Sequence, residues 1–220
     1  MDQAHFLPPN TVPEGDYRPS QPEVGEAPEV LSTDHPERAS LQDFIAQSYF
    51  RTYGARVDHF AHQLMGLRRP DGPWLAGVGY TFAANKPLFI EQYLDRPVEI
   101  EIAARLRTPI GREQVVEVGN FAAVRPGGAR RVIICMTELL HELGRTWVVF
   151  TSTRSLLNSF SRLGIATIVL EPADPLRLSD GGAKWGSYYE TNPQVIAASI
   201  PLGFLHLVSR PGAIDTFNLN

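Results

Sequence analysis

The chain has 220 residues, 43% of them apolar, with a formal net charge of −4; that length sustains one well-buried core with appendages, and no uninterrupted apolar run nears the roughly 20 residues of a membrane span. A single cysteine, Cys135, excludes an internal disulfide. Charge is uneven: residues 1–38 hold eight acids against two bases, whereas the remainder carries 16 acids and 18 bases with no dense basic cluster among aromatics, which argues against nucleic acid as a partner.

Residues 1–38 also contain seven of the 18 prolines and little large apolar surface, so they are read as a disordered or strap-like tail. The opening MDQAHFLPPN lacks the basic and apolar regions of a secretory signal, and a cytoplasmic location is expected. The folded part, residues 39–209, begins with Ser40 and Asp43 in a capping-box-like arrangement. Leu41, Phe44, Ile45, Tyr49 and Tyr53 follow at helical spacing, and Gly54 closes the helix. The turn RRPDGP joins residues 62–67 to WLAGVGYTFA, a hairpin in which Trp74, Ala76, Val78, Tyr80 and Phe82 alternate with Leu75, Gly77, Gly79 and Thr81. The two glycines on the second face admit close approach of a helix or a ligand.

KPLFIEQYLD (86–95) reads as a short aromatic helix, and VEIEIAARLR (98–107) fits a helix slightly better than a strand. Residues 115–124 form a strand, RPGGAR (125–130) a tight loop, and 129–143 a helix whose Val132, Ile133, Met136, Leu139, Leu140 and Leu143 share one stripe. WVVFT (147–151) is a strand, RSLLNSFSRLG a helix ended by Gly164, and 165–170 a buried strand. A last strand lies near 194–200. The apolar 202–208 segment admits four roles: intramolecular packing, an oligomer (homodimer) contact, a lid, or contact with a membrane surface. Residues 210–220 are a C-terminal tail. This alternation predicts an α/β (α+β) single domain, a central mixed twisted sheet flanked by helices.

Several chemistries lack their signatures. There is no phosphate-binding P-loop, no G-x-S-x-G elbow and no dinucleotide fingerprint. His59 and His62 have no partner at metal-ligand spacing, and His141-Glu142 lacks a second histidine, so no metal is expected. Cys135 sits on an apolar helix face and reads as a packed thiol.

The segments YGA (53–55), LFIEQYLD (88–95), VVEVGN (115–120), WVVFTSTRSLLNSFSRLGI (147–165), ADPLRL (173–178) and WGSYY (185–189) together resemble the thermostable hemolysin family. The order strand, loop, helix, strand, helix over 117–164 resembles the acyl-donor half of the GNAT acyltransferase fold. It is also similar to acyl-homoserine-lactone synthases and N-acyl amino acid synthases, which draw acyl chains from acyl carrier protein. The resemblance implies an N-acyltransferase with no permanently bound cofactor. Its co-substrate would be an acyl-phosphopantetheine thioester, on acyl carrier protein or coenzyme A, and its acceptor an amine or amino acid. The alternatives are a membrane-active hemolysin without transfer activity and a non-catalytic acyl-carrier-binding module.

In that layout the fourth strand lies beside the thioester. The resemblance places Gly119, Asn120 and Phe121 with their amides toward the carbonyl, Ala122 against the donor, and Glu117 as proton acceptor or as a strand-end carboxylate paired with an arginine. The family's phosphate loop ends in Gly or Ala; here the pattern runs Arg125, Gly127, Gly128 and then Arg130, with Arg131 beside it, which implies a grip on the single phosphate of a carrier-protein phosphopantetheine. Asn158 falls where donor contacts occur. Glu91 and Asp95, four apart, share a helix face that suits a cationic acceptor or simply solvent. Tyr188 and Tyr189, next to Trp185, suit an aromatic acceptor wall or ordinary packing.

Overall fold

The computed structural model describes residues 27–70 and 72–209. Seven strands, β1 (Ala27–Leu31), β2 (Gln63–Arg68), β3 (Trp74–Phe82), β4 (Val115–Ala123), β5 (Trp147–Ser152), β6 (Thr167–Pro172) and β7 (Gln194–Ser199), form one sheet. Its order is β1-β2-β3-β4-β5-β7-β6. Every neighbouring pair is antiparallel except β4 and β5, which run parallel. The five helices are α1 (Arg38–Tyr53), α2 (Val98–Leu106), α3 (Pro126–Glu142), α4 (Arg154–Leu163) and α5 (Ile200–Val208). Three apolar clusters fix their sides. Leu41 and Ile45 of α1 pack with Leu31, Leu64 and Trp74, and Val98 and Ile102 of α2 with Val115, Val149 and Val195. On the opposite face α3 buries Val132, Met136 and Leu140 against Met65, Val78 and Val116.

The expected tail boundary is too late. Residues 27–38 belong to the fold, because β1 pairs with β2 along its whole length and α1 starts at Arg38. The buried Arg38 guanidinium donates to the carbonyls of Leu31, Ala61 and His62, tying β1 and the α1–β2 loop to the helix start. Ser40 is therefore no cap; its hydroxyl accepts from the Trp74 indole. The remainder of the expected tail, 1–26, and the C-terminal tail, 210–220, lie outside the described residues.

The hairpin of β2 and β3 forms with a shift in register at Arg68, which faces Trp74 while Leu67 faces Ala76. This bulge turns Trp74 to the α1 side, away from the Ala76 face where strict alternation put it. A Cβ on Gly77 would lie 2.8 Å from Leu41 and 3.2 Å from Ile45, so the small residue there serves helix packing rather than a ligand. The supposed RPGGAR loop is mostly helix: α3 begins at Pro126, a residue whose fixed φ suits a first turn. Strand β6 is an edge strand with Val169 exposed, in place of the buried strand expected. The 202–208 segment is helical, and Phe204 stacks on His141 of α3 at 3.9 Å. Among the described residues no helix is long and apolar enough to cross a membrane.

Candidate active site

The parallel pair β4 and β5 holds register for three residues only: Val115 with Trp147, Val116 with Val148, and Glu117 with Val149. Beyond Glu117 the strands part. From the Gly79–Gly119 pair to the Gly77–Ala122 pair, β3 advances two residues and β4 three, so β4 carries an extra residue that bends it away. Asn120 adopts the left-handed conformation, φ 51°, at this bulge. Its side chain accepts from the Ala61 amide at 2.9 Å and donates to the His59 carbonyl at 3.1 Å. Asn tolerates this backbone better than most residues, and the two hydrogen bonds hold the bend in place.

A cavity of about 910 Å³ passes through the fork and is lined from both faces of the sheet. On the α3 side its wall is apolar: Val132, Met136, Leu140, Phe150, Phe160 and Ile165. Phe150 and Phe160 stack there at 4.8 Å. On the α1 side the lining is aromatic, with Tyr49, Tyr53, Phe89, Trp185 and Tyr188, and it includes Glu117 and Lys86.

Glu117 is buried, and its carboxylate accepts from the amides of Phe89 at 2.7 Å and Ile90 at 3.1 Å. Burial pushes its pKa up to about 7, against the pull of those two amides; Glu91 adds to the rise and Lys86 opposes it. No arginine pairs with it among the described residues, so the strand-end ion pair is not formed. The Tyr188 hydroxyl reaches across to Thr151 of β5 at 3.3 Å, and burial raises its pKa. Burial likewise raises the pKa of the Tyr49 hydroxyl.

Of the residues expected at a site, Glu117, Gly119, Asn120, Phe121, Ala122, Arg125 and Tyr188 line this one cavity. Gly127, Gly128, Arg130 and Arg131 lie in the first turns of α3 outside the lining. Gly128 allows α3 to pack on β3, since its Cβ would stand 3.3 Å from the Leu75 carbonyl. Arg131 acts on Cys135 and Glu138 farther along its own helix. Cys135 is buried as expected, its pKa pushed up to about 11 chiefly by burial.

Four placements are corrected. Glu91 does not face an acceptor: Arg112 grips it at 2.6 and 2.9 Å, and the Leu88 and Val98 amides complete its shell. Burial alone would raise its pKa, but these donors outweigh that and hold it low. Asp95 is exposed and pairs with Arg177 at 2.6 Å. Because residues 89–93 form a 3₁₀ helix that ends before Asp95, the four-residue spacing does not put the two carboxylates on one face. Asn158 is exposed on the far side of α4, whereas Ser155, Leu156, Ser159 and Phe160 face the cavity. Tyr189 stands behind the lining with its hydroxyl 2.6 Å from that of Tyr93.

Tyr49, Tyr53, Lys86, Phe89 and Thr151 went unrecognised as lining. The stripe Ser48, Tyr49, Thr52 and Tyr53 on α1 was the available signal, polar and aromatic where a purely packed face would be aliphatic.

A mixed sheet forked between parallel fourth and fifth strands, with a helix starting directly after the fourth, defines the GNAT-like architecture. Solved structures agree on the fold. FeeM, an N-acyl amino acid synthase from uncultured soil microbes, superposes with a TM-score of 0.55 at 15% identity, over 81% of this chain and 92% of its own. BjaI, a coenzyme A-dependent acyl-homoserine lactone synthase with SAM and isopentyl-CoA, gives 0.55 at 15% identity, over 82% and 86%. The acyl-homoserine lactone synthase LasI gives 0.54 at 11%, over 80% and 90%. The chain belongs to the thermostable hemolysin family, whose model matches residues 31–204. Among curated proteins no sequence matches.

Proposed function

We propose that this protein is an N-acyltransferase that moves a fatty acyl group from a phosphopantetheine thioester, on acyl carrier protein or coenzyme A, to a small amine or amino acid. One observation carries the reading: the fork beyond Glu117 and Val149 opens a cavity with an apolar lobe on one side and a buried carboxylate on the other. An acyl chain in the lobe of Met136, Leu140 and Phe150 leaves water at about 0.8 kcal/mol per methylene, which favours a fatty chain over acetyl. The thioester carbonyl then lies in the fork beside Gly119 and Asn120, whose backbone amides would hold the oxyanion. At the mouth, Arg125 and the first turn of α3 would meet the pantetheine phosphate, an arrangement favoured by the helix dipole.

The amine nitrogen forms the new C–N bond as the C–S pair leaves on sulfur. Its proton passes to Glu117 and from there to the departing thiolate, so thiol and amide are the products. A carboxylate with a pKa of about 7 takes a proton at neutral pH and releases it again. We place the reaction in the cytoplasm. The test is thiol release from long-chain acyl-coenzyme A and acyl carrier protein across a panel of amines, with the amide identified by mass. Release that depends on protein and amine supports the reading. Silence with every donor, together with lysis of red cells without donor, overturns it.

A further inference from the structure

The α1 side of the cavity is an almost closed circuit of rings. Tyr49 lies 6.0 Å from Tyr53, Tyr53 5.2 Å from Tyr188, Tyr188 5.4 Å from Trp185, and Trp185 6.2 Å from Tyr49, centroid to centroid. Phe89 extends it, 6.0 Å from Trp185. All five line the cavity, and their mutual angles of 42–89° present both edges and faces to it. Such a wall selects for a flat or apolar group.

The charges on this side are few. Besides His59, only the acid Glu117 and the base Lys86 bring carboxylate or amine side chains to this part of the lining; the cation Arg125 belongs to the start of α3. The neighbouring acids are already engaged, Glu91 by Arg112 and Asp58 by Lys184. Lys86 is exposed, and its ammonium forms no ion pair or hydrogen bond among the described residues. It lies near enough to Glu117 for the two charges to act on each other. A second ammonium on the acceptor would find no anion here and would meet Lys86, whereas a carboxylate would find an unpaired cation.

Resting on the acyl-transfer reading, we propose that the acceptor is an α-amino acid with an aromatic or apolar, uncharged side chain. Its amine stands at Glu117, its carboxylate at Lys86, and its side chain in the ring circuit of Tyr49, Tyr53, Trp185 and Tyr188. Glu117 and Lys86 thus read the two ends of the zwitterion, and the rings read the side chain. Simple amines, diamines and basic amino acids are poor acceptors.

Binding is measured without donor, by calorimetry on the full chain, with L-phenylalanine, L-phenylalaninamide, L-lysine and putrescine as probes. Phenylalanine binds best, and its amide binds about tenfold more weakly, the scale of one charge-assisted hydrogen bond. Lys86→Met erases that difference and Lys86→Arg keeps it. Equal binding of acid and amide, a preference unchanged in Lys86→Met, or tighter binding of lysine or putrescine overturns the proposal. Turnover with the same probes separates the two readings. Phenylalanine that binds but never releases thiol from any acyl donor sinks acyl transfer and leaves the amino-acid site standing. Thiol release as fast with amines lacking a carboxylate sinks the amino-acid assignment and leaves acyl transfer standing.

Discussion

Glu117 and Val149 are the last residues at which β4 and β5 remain in register, so a buried carboxylate stands at the fork of the sheet. Removing its charge while keeping its shape, in Glu117→Gln, lowers the rate of thiol release by about 10²–10⁴, the range for a general base. In the wild type the rate rises with pH through about 7, as the carboxylate loses its proton, and that limb disappears in the variant.

The same group sets a pH dependence of stability with the opposite direction. Burial raises its pKa from 4.5 to about 7, so the native state binds this proton more tightly than the unfolded chain does. Its contribution is full below pH 4.5 and is lost as pH rises through 7, at most about 3 kcal/mol. Urea denaturation at pH 5 and pH 8 checks this: the wild type loses more stability over that interval than Glu117→Gln does.

Asn120 combines a positive φ with two side-chain hydrogen bonds to the 59–61 segment. Asn120→Ala loses both bonds and strains the backbone, for a cost of about 2–4 kcal/mol. Asn120→Gly loses the bonds but accepts the φ, and is the less damaged of the two by about 1 kcal/mol. Chemical denaturation of the pair gives the order, and glycine falling below alanine would remove the backbone argument.

Gly186 has φ 52°, and a Cβ there would sit on the Tyr53 carbonyl oxygen. The loop carrying Trp185 is stitched to that carbonyl by the Ser187 amide at 2.8 Å, and to Arg56 through the Lys184 carbonyl at 2.7 Å. Gly186→Ala therefore unseats the loop at a cost of about 2–4 kcal/mol. Limited proteolysis shows it as new cleavage near 180–190, and a protection pattern equal to wild type would refute it.

Gly203 of α5 borders the apolar lobe, and a Cβ on it would meet Thr137 and Ile165 at an ordinary 3.7 and 3.8 Å. A longer side chain fits locally and then projects into the space available to an acyl chain. Gly203→Leu keeps or raises the melting temperature, because leucine is the better helix former by about 0.5–1 kcal/mol. It also moves the preferred acyl donor to a shorter chain. An unchanged chain-length profile would place the acyl group elsewhere.

The elements legible in the chain are those with local causes. Gly54 and Gly164, both with positive φ, close α1 and α4 where the apolar spacing stops. The helix 98–106, ambiguous by period, becomes a helix with Ile102 in the core. Where non-local contacts decide, the reading slips. The bulge that turns Trp74 depends on pairing with Arg68, and β1 belongs to the fold because β2 offers it an edge. Glu91 looks like a free acid until Arg112, 21 residues away, claims it.

What the sequence determined alone is the succession of strands and helices from 115 to 164 and the buried Cys135, because capping, periodicity and residue type act over a few neighbours, whereas Glu117 became a candidate through the family resemblance. Only the tertiary structure decided that β4 and β5 part after three paired residues and that rings from 49, 53, 89, 185 and 188 meet around Lys86 and Glu117. Those facts depend on strand register and on chain segments more than a hundred residues apart, where no spacing rule reaches.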